Sequence, residues 1–441
     1  MNANKSSLLP IIIDGSFGEG GGQILRNAIS FACILSLPIE IINIRANRSK
    51  PGLSAQHLTG LRLVSQLKDD ASSSGGMVLS GDELRSTKVL YAMPSSCMEK
   101  DNNYHHHERK KSNDLLTENH FVGDIGTAGS VCLLLQAALP CALFRGSGCS
   151  LELRGGTNAE MAPQVDYLTD VFLPVAGTGF GFRSNVHYDI LKRGYFPRGG
   201  GVMKFVVERP IFKLNPIRIV DRGNVQSVRI RVFYAGKVPR AIAQDMAKSA
   251  QEALETRLLQ SQPQMKNGIE CHIVHETNSV GSGSGILITA TTSTGCILAG
   301  SALGKPRQSA SDTGELAAFE LVDALQYGGC VDKWLQDQFI LYMALADGTS
   351  EVITGGITLH TKTAIMIAEK LTGASFEVER LMPKPKSEIG LHNGKVRESS
   401  NGEGGSVDDG TVKVAYAEEA YEDGRFLIRC HGISFVNPHF K

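Results

Sequence analysis

A glycine loop near the start of the chain carries side chains suited to binding an anion or a cation. Residues 14–23 read DGSFGEGGGQ, follow a predicted strand and open a predicted helix. This placement presents backbone N–H groups and the positive end of a helix to an anion, although a tight structural turn explains the glycines equally well. The loop matches neither Walker A nor G-x-G-x-x-G. Glu19 would repel phosphate unless it binds a divalent cation or a ribose hydroxyl, while Gln23 and Arg26 can share one side of the helix.

A basic turn follows this helix and the next predicted strand. Arg45, Arg48 and Lys50 fall within six residues, followed by Pro51-Gly52 and by Gln56. Arginine binds phosphate oxygens through two parallel hydrogen bonds, so the turn is suited to a phosphate. A solvated basic turn is the plainer interpretation. The position directly after the glycine-loop helix favours one shared anion site.

His360 differs from the other histidines because it lies at the start of a predicted helix, in GGITLHTKT (355–363). The helix dipole disfavours the imidazolium cation there, so a neutral ring is available as a nucleophile or base toward a bound anion. A capping or packing role is the alternative. Asp337, in WLQDQ (334–338), can orient such a histidine or bind a metal, and otherwise is an ordinary helix carboxylate.

A second glycine-rich stretch, RGYFPRGGG (193–201), lies between two predicted strands. A wide hairpin is the simple interpretation. The functional one has the backbone approaching a ligand or another segment, with Arg193 or Arg198 supplying charge.

The elements that must position these residues repeat along the chain. Glycine turns recur in the order strand, helix, strand, helix, strand, strand, which predicts several similar α/β layers packed together. The first unit has strands at 11–14 and 39–45 and helices at 23–36 and 55–68; the second has helices at 130–139 and 164–172 and strands at 150–153, 180–190 and 202–208; the third has helices at 315–327 and 361–371 and strands at 351–353 and 376–379.

Three segments interrupt this rhythm. Residues 209–303 predict a small inserted α/β domain, so that 1–208 and 304–441 form a discontinuous large domain. Residues 95–119 and 384–411 are polar and are predicted to be solvated insertions.

The composition narrows the class of protein. The 441 residues carry 45 Lys+Arg against 45 Asp+Glu, which argues against a protein that coats nucleic acid through general basic charge. The nine cysteines form no C-x-x-C pair, which favours reduced thiols in an intracellular protein over a cysteine-built zinc site. No uninterrupted apolar run is long enough to predict a membrane-spanning helix.

Taken together, the motifs resemble the RNA 3'-terminal phosphate cyclase family. The matching pieces occur in family order over nearly the whole chain: DGSFGEGGGQILR (14–26), IRANRSKPGLSAQHL (44–58), TAGSVCLLLQ (127–136), RGGTNAEMAPQVDYL (154–168), RGYFPRGGG (193–201), DKWLQDQ (332–338) and ITLHTKTAI (357–365). The resemblance implies an α/β fold of three βαβαββ units with a smaller inserted α/β domain, in agreement with the repeats.

The resemblance also implies an activity. An enzyme of this family converts an RNA 3'-phosphate into a 2',3'-cyclic phosphate with ATP and a divalent metal, Mg or Mn, through a covalent histidine–AMP and an RNA-(3')pp(5')A end. His360 matches the nucleophile. The resemblance places the other site residues in two groups: Glu19, Gln23, Arg26, Arg45, Arg48, Gln56 and Asp337 at the nucleotide and phosphates, with Glu19 and Asp337 as metal contacts, and Trp334 and Pro163 at the two faces of adenine. It further implies nuclear residence, with the cytoplasm left open.

Three other classes compete with this interpretation. Catalytically inactive cyclase-like proteins of ribosomal RNA processing share the fold but lack the nucleophile and the GEGGGQ loop, both of which this chain has. An enolpyruvyl transferase also uses repeated βαβαββ units but has no need of His360 in its ITLHTKT setting. A passive RNA-binding protein usually has a larger cationic excess.

Overall fold

The computed structural model describes residues 9–68, 77–93, 119–259, 268–382 and 424–440. The predicted insertion at 384–411 and nearly all of that at 95–119 lie outside these described residues. The second of these includes three consecutive histidines, at 105–107.

The first unit is a four-stranded sheet covered by two helices. Strands β1 and β2 are parallel, and β4 and β3 extend the sheet in antiparallel fashion in the order β1-β2-β4-β3. Isoleucine-rich strands suit this half-buried sheet because β-branched side chains pack well on a pleated surface. The elements are β1 (Ile11–Asp14), α1 (Gly22–Leu35), β2 (Ile39–Ile42), α2 (Ala55–Leu67), β3 (Val78–Ser80) and β4 (Val89–Ala92).

The second unit repeats the same order. Its sheet runs β7-β8-β6-β5 inside a larger one, with β5 and β6 parallel and the others antiparallel. Its second helix begins as a short α-turn and continues as wider π-type turns over Leu168–Gly177, where Pro174 removes a backbone donor. The elements are β5 (His120–Asp124), α3 (Val131–Leu143), β6 (Cys149–Gly155), α4 (Val165–Tyr167), β7 (Val186–Gly194) and β8 (Gly201–Val207).

A smaller α/β layer then interrupts the third unit. Its sheet has the order β11-β10-β13-β14, whereas the short β12 joins β7 of the second unit. The elements are β9 (Arg218–Ile219), β10 (Val225–Ala235), α5 (Arg240–Leu254), β11 (Ile269–Glu276), β12 (Ser279–Val280), β13 (Gly283–Thr292), β14 (Ile297–Leu303) and α6 (Ala310–Gln326).

The third unit closes around β9, which pairs in parallel with β15 across the small layer's insertion. Its sheet order is β16-β17-β15-β9. The elements are α7 (Lys333–Leu345), β15 (Thr349–Thr354), α8 (Leu359–Thr372), β16 (Ser375–Leu381) and β17 (Arg425–His431). The three βαβαββ units and the inserted layer are therefore confirmed.

The predicted helix at 315–327 does not belong to the third unit. It lies in α6, whose Ala317 and Leu321 share a buried core with Met246 of α5 and Leu298 of β14. Gly314 allows this close packing, since a Cβ there would lie 2.2 Å from the carbonyl oxygen of Met246. The first helix of the third unit is α7 instead. The bounds 209–303 and 304–441 stay a prediction, and the packing of α6 argues for placing it with the small layer.

One main core joins the three units through their helices. Helix α1 packs against both α3 and α8, and α8 also packs against α7. The hydroxyl of Ser30 in α1 donates to the carbonyl of Ala137 in α3 at 2.9 Å, so the two helices are joined by a buried hydrogen bond as well. Among the described helices, none has both the length and the apolar character needed to cross a membrane.

Candidate active site

The glycine loop between β1 and α1 packs against the start of α8. Gly18 and Gly20 adopt φ values of +60° and +57°, a left-handed conformation that favours glycine. A Cβ on Gly18 would lie 2.5 Å from the hydroxyl oxygen of Thr363 in α8. The loop therefore needs glycine both for its backbone shape and for its approach to the helix of the third unit.

This approach brings Glu19 to His360. The Nδ1 atom of His360 lies 2.6 Å from Oε2 of Glu19, and the two side chains are 31% and 13% exposed. His360 lies in the first turn of α8, where the hydroxyl of Thr358 caps the helix by accepting from the N–H of Thr361 at 3.1 Å. An imidazole that donates from Nδ1 to a carboxylate presents the lone pair of Nε2 for reaction.

Glu19 is held as a carboxylate by its neighbours. Burial acts to raise the pKa of Glu19, but the hydrogen bond to His360 and the positive charges of Arg26 and Arg48 outweigh it, so the pKa is lowered. The guanidinium of Arg48 lies 3.5 Å from Oε1 of Glu19 and donates to its backbone carbonyl at 3.1 Å. Glu19 thus remains ionised at neutral pH.

Arg26 and Asp337 interact electrostatically with each other and with Glu19. Burial lowers the pKa of Arg26, while Asp337 and Glu19 act in the opposite direction. Burial raises the pKa of Asp337 to about 6, against the opposing charges of His360 and Arg26. The amide oxygen of the buried Gln23 accepts a hydrogen bond from Arg26. The structure therefore brings these predicted residues together with Glu19.

The predicted basic turn gains a third arginine. Burial, followed by repulsion from Arg48 and Arg85, lowers the pKa of Arg45, whose guanidinium also donates to the Gly52 carbonyl at 2.9 Å. Arg85 comes from the loop before β4, which returns onto this turn through a backbone hydrogen bond from Arg85 to Leu53 at 2.9 Å. Arg85 was not predicted from the sequence, because its pairing with Leu53 is a long-range contact that no local motif marks.

Gln56 and His57 connect the site to the second unit. The side-chain oxygen of Gln56 accepts from the N–H of Ser130 at 2.6 Å, directly before α3. A Cβ on Gly22 would lie 2.4 Å from Nε2 of His57, so this ring borders the start of α1. Burial, then the charges of Arg26 and Arg45, lowers the pKa of His57 to about 3, and the ring is neutral at physiological pH.

Trp334 and Pro163 lie along the border with the small layer. The indole N–H of Trp334 donates to Glu320 of α6 at 3.0 Å, and the ammonium of Lys333 lies 5.4 Å from its ring. Pro163 is buried next to Gln164, whose amide donates to the carbonyl of Ile286 in β13 at 3.2 Å. No described hydrogen bond or ion pair joins either residue to Glu19 or His360, and their adenine role stays a prediction.

Four helices begin around this site, and their caps differ. Ser130 caps α3 by accepting from the N–H of Leu133, Thr358 caps α8, and the hydroxyl of Ser54 before α2 lies 2.9 Å from Nδ1 of His57. The cap residue of α1, Gly21, has no side chain and makes no such bond. The amides at the start of α1 therefore have no side-chain cap and are suited to binding an anion.

For a divalent cation, the site offers the carboxylates of Glu19 and Asp337. Within the described ranges, no cluster of three or more His, Cys, Asp or Glu side chains could hold a metal by itself. Magnesium is often bound by one or two carboxylates together with phosphates of the substrate, so this pair fits such an ion.

The fold is α/β, and a carboxylate–histidine pair next to an uncapped helix start and several arginines has the chemistry suited to a phosphorylated ligand. A family model described as RNA 3'-terminal phosphate cyclase matches residues 17–378. The chain is 39% identical to the RNA 3'-terminal phosphate cyclase of Drosophila melanogaster over 367 residues, which cover 83% of this chain and 92% of that protein. It is 35% identical to a probable RNA 3'-terminal phosphate cyclase of Dictyostelium discoideum over 85% of this chain and 79% of the relative. It is 34% identical to the RNA 3'-terminal phosphate cyclase of Pyrobaculum aerophilum, over 83% of this chain and 94% of that protein. The chain belongs to the RNA 3'-terminal phosphate cyclase family.

Proposed function

We propose that this protein is an enzyme that converts an RNA 3'-terminal phosphate to a 2',3'-cyclic phosphate with ATP. Family membership supports the cyclase activity in general. The observation that carries the detailed proposal is the 2.6 Å contact between Nδ1 of His360 and Glu19 at the start of α8. This contact leaves Nε2 of His360 as the nucleophilic atom.

In the first step, Nε2 of His360 attacks the α-phosphorus of ATP and pyrophosphate leaves. The new N–P bond replaces the bond to the bridging oxygen, and a covalent histidine–AMP results. The negative charge that develops on the phosphoryl oxygens and on the leaving group is stabilised by Arg26, Arg45, Arg48 and the amides of α1. Glu19 holds the ring through Nδ1 while Nε2 reacts.

In the second step, an oxygen of the RNA 3'-phosphate attacks the phosphorus of the AMP and His360 leaves, giving an RNA-(3')pp(5')A end. The 2'-hydroxyl then attacks the 3'-phosphorus, releases AMP and loses its proton to solvent. A terminal phosphate alone has a poor leaving group, and adenylation supplies AMP instead. Ring closure is intramolecular because the 2'-hydroxyl already lies beside the phosphate, and the requirement for this hydroxyl selects RNA over DNA.

A divalent cation, magnesium or manganese, fits the carboxylates of Glu19 and Asp337. When bound, it would neutralise charge on the phosphates.

Incubation with α-labelled ATP and Mg²⁺ or Mn²⁺ tests the proposal. The wild-type protein should acquire label, and His360→Ala should acquire none. His187→Ala is a matched control because His187 pairs with Glu208 at 2.8 Å on the surface, away from the glycine loop. Equal labelling of His360→Ala and wild type would exclude His360 as the nucleophile.

The product supplies a separate test. An RNA ending in 3'-phosphate should become resistant to phosphatase, and a 2'-deoxy terminus should not. A catalytically inactive cyclase-like protein, the competing function, would give neither label nor resistant ends. Nuclear residence stays a prediction, which imaging of the tagged full-length chain would test.

A further inference from the structure

The glycine-rich stretch RGYFPRGGG forms the turn between β7 and β8 and presents an aromatic ring to solvent. Phe196 is 79% exposed, and Pro197 and Arg198 beside it are exposed as well. In the part of the chain that the structure describes, Arg198 has no carboxylate partner. An apolar ring and an available guanidinium thus lie two residues apart at the tip of one turn.

The base of the turn is fixed by buried contacts. Arg193 binds both carboxylate oxygens of Asp166, at 2.7 and 2.8 Å, and also lies 3.2 Å from Glu276. The ring of Tyr195 is buried and stacks on Phe233 of the small layer at 5.7 Å. Of the two arginines predicted to supply charge, Arg193 is therefore used inside the protein and Arg198 faces outward.

The residues that follow the tip, from Gly199 on, pack against the loop that leads into α3. A Cβ on Gly199 would lie 2.3 Å from the carbonyl oxygen of Thr127, and Gly199 and Gly200 have φ values of +67° and +71°. Only glycine permits this contact, so the tip is held in one place relative to residues 127–128. A rigid platform loses little conformational entropy when a ligand binds it.

The same loop connects the turn to the candidate active site. Three residues beyond Thr127, the N–H of Ser130 is bonded to Gln56, and a Cβ on Gly129 would lie 3.0 Å from the same amide oxygen. Three residues span at most about 11 Å. Gln56 precedes His57, which borders the start of α1. The loop 127–130 therefore connects the turn, at Gly199, to the edge of the anion site, at Gln56.

We propose that this turn binds the RNA strand next to its 3'-terminal phosphate, with a base stacked on Phe196 and a backbone phosphate bound by Arg198. The proposal rests on the proposed function above. Single-stranded RNA is recognised through stacking of unpaired bases on aromatic rings and through positive charge along the backbone. The pairing of ring and guanidinium beside a site for a terminal phosphate favours RNA over a protein partner.

The turn binds the polymer and not ATP, which separates the two proposals experimentally. Phe196→Ala and Arg198→Gln should form histidine–AMP from ATP alone at the wild-type rate. The KM for an RNA ending in 3'-phosphate should rise about 5- to 150-fold in Phe196→Ala, as expected for loss of one stacked base. Phe196→Trp, which keeps an aromatic ring at this position, should have a KM close to that of wild type. Phe212→Ala is the matched control. It also removes an exposed ring, whose one described aromatic pair is with Phe440, and it should leave the KM for RNA unchanged.

One substrate change and one protein variant identify the contacts. Replacing single bases near the 3' end by abasic sites should raise the wild-type KM at one position but should have no further effect in Phe196→Ala. Arg198→Gln should make the slope of log affinity against log salt less negative by about 0.7, the value for one phosphate contact on a single strand.

The outcomes are distinct. A wild-type protein that forms no histidine–AMP and no cyclic ends would refute the proposed function. Normal histidine–AMP formation with an unchanged RNA KM in both turn variants would overturn the RNA surface alone. Binding of a protein by wild type but not Phe196→Ala, with the RNA KM unchanged, would likewise overturn it and assign the ring to protein docking.

Discussion

The buried amide of Gln336 in α7 holds the helix turn that carries His360. Its oxygen accepts from the N–H of Thr358 at 3.2 Å and from the hydroxyl of Thr361 at 2.5 Å. Its nitrogen donates to the hydroxyl of Thr354 at 2.5 Å and to a backbone carbonyl two residues further along at 3.0 Å. One side chain therefore ties the end of β15 to the first turn of α8. We predict that Gln336→Leu loosens this turn.

The magnitude follows from the groups left without partners. The hydroxyl of Thr361 can still donate to the hydroxyl oxygen of Thr358, 3.1 Å away. The N–H of Thr358 has no such substitute, and an unsatisfied buried donor costs about 1–3 kcal/mol. If that cost falls on local opening, the turn should open about 5 to 150 times more often.

Hydrogen exchange followed by mass spectrometry measures this opening in peptides covering residues 354–363. Gln336→Leu should exchange faster there by the predicted factor, and histidine–AMP formation should slow because His360 spends less time against Glu19. Gln338→Leu is the matched control for exchange, since among the described residues the Gln338 side chain bonds only to the Trp334 carbonyl of its own helix. It should leave residues 354–363 protected.

A positioning role differs from general destabilisation in two readouts. The KM for ATP should change less than the rate of histidine–AMP formation, and Gln336→Glu, which keeps the accepting oxygens toward Thr358 and Thr361, should recover part of that rate. Wild-type exchange at 354–363 together with a wild-type rate in Gln336→Leu would refute the reasoning.

Two carboxylates should respond to substitution in opposite directions. Burial raises the pKa of Asp337 to about 6 from 3.8, so the wild-type protein loses stability as pH rises between these two values. Asp337→Asn removes the ionisable group. The free energy of unfolding should therefore rise by about 3 kcal/mol at pH 8 and by about half as much at pH 5. Urea unfolding across this range checks the trend, and a constant difference would contradict it. Asp166 is the reverse case: burial opposes ionisation, but hydrogen bonds and charge from Arg193 and Arg231 lower its pKa to about 2. The contribution of Asp166 is present above pH 4 and is lost as pH falls toward 2. Asp166→Asn should cost up to about 3–5 kcal/mol at pH 7, because the guanidiniums of Arg193 and Arg231 lose this carboxylate and are left to share Glu276. Asp170→Asn, at the more exposed pair with Arg229, should cost at most about 1 kcal/mol, and equal losses would refute the difference.

Local sequence patterns were sufficient for most of the fold. Glycine turns and apolar periodicity give the strand and helix order of each unit, because both signals act within a few residues. The third unit was harder, since α6 and α7 are neighbouring helices and only long-range packing assigns α6 to the small layer. Nothing in the spacing of residues 315–327 encodes Gly314 facing Met246.

Several residues of the candidate site were named from the sequence, but their contacts were not, and the adenine role of Trp334 and Pro163 stays a prediction. Glu19 and His360 are 341 positions apart; the resemblance placed both at one site, and only the structure shows the contact between them. The structure adds Arg85, and it turns Gln56 toward Ser130. Both contacts join loops that are far apart in the sequence, so no local pattern predicts them.

The repeated architecture explains why the candidate site lies between the first and third units. Each unit places a helix start after a turn, but a start whose amides already have side-chain acceptors has less to offer a phosphate. In the second unit, Ser130 caps α3, and Gln56 accepts from the N–H of Ser130 itself. The turn 126–130 has no charged side chain. The first unit keeps α1 uncapped and adds Glu19, and the third adds His360. The second unit is thereby left to position its neighbours and, through the turn at Phe196, to receive the polymer.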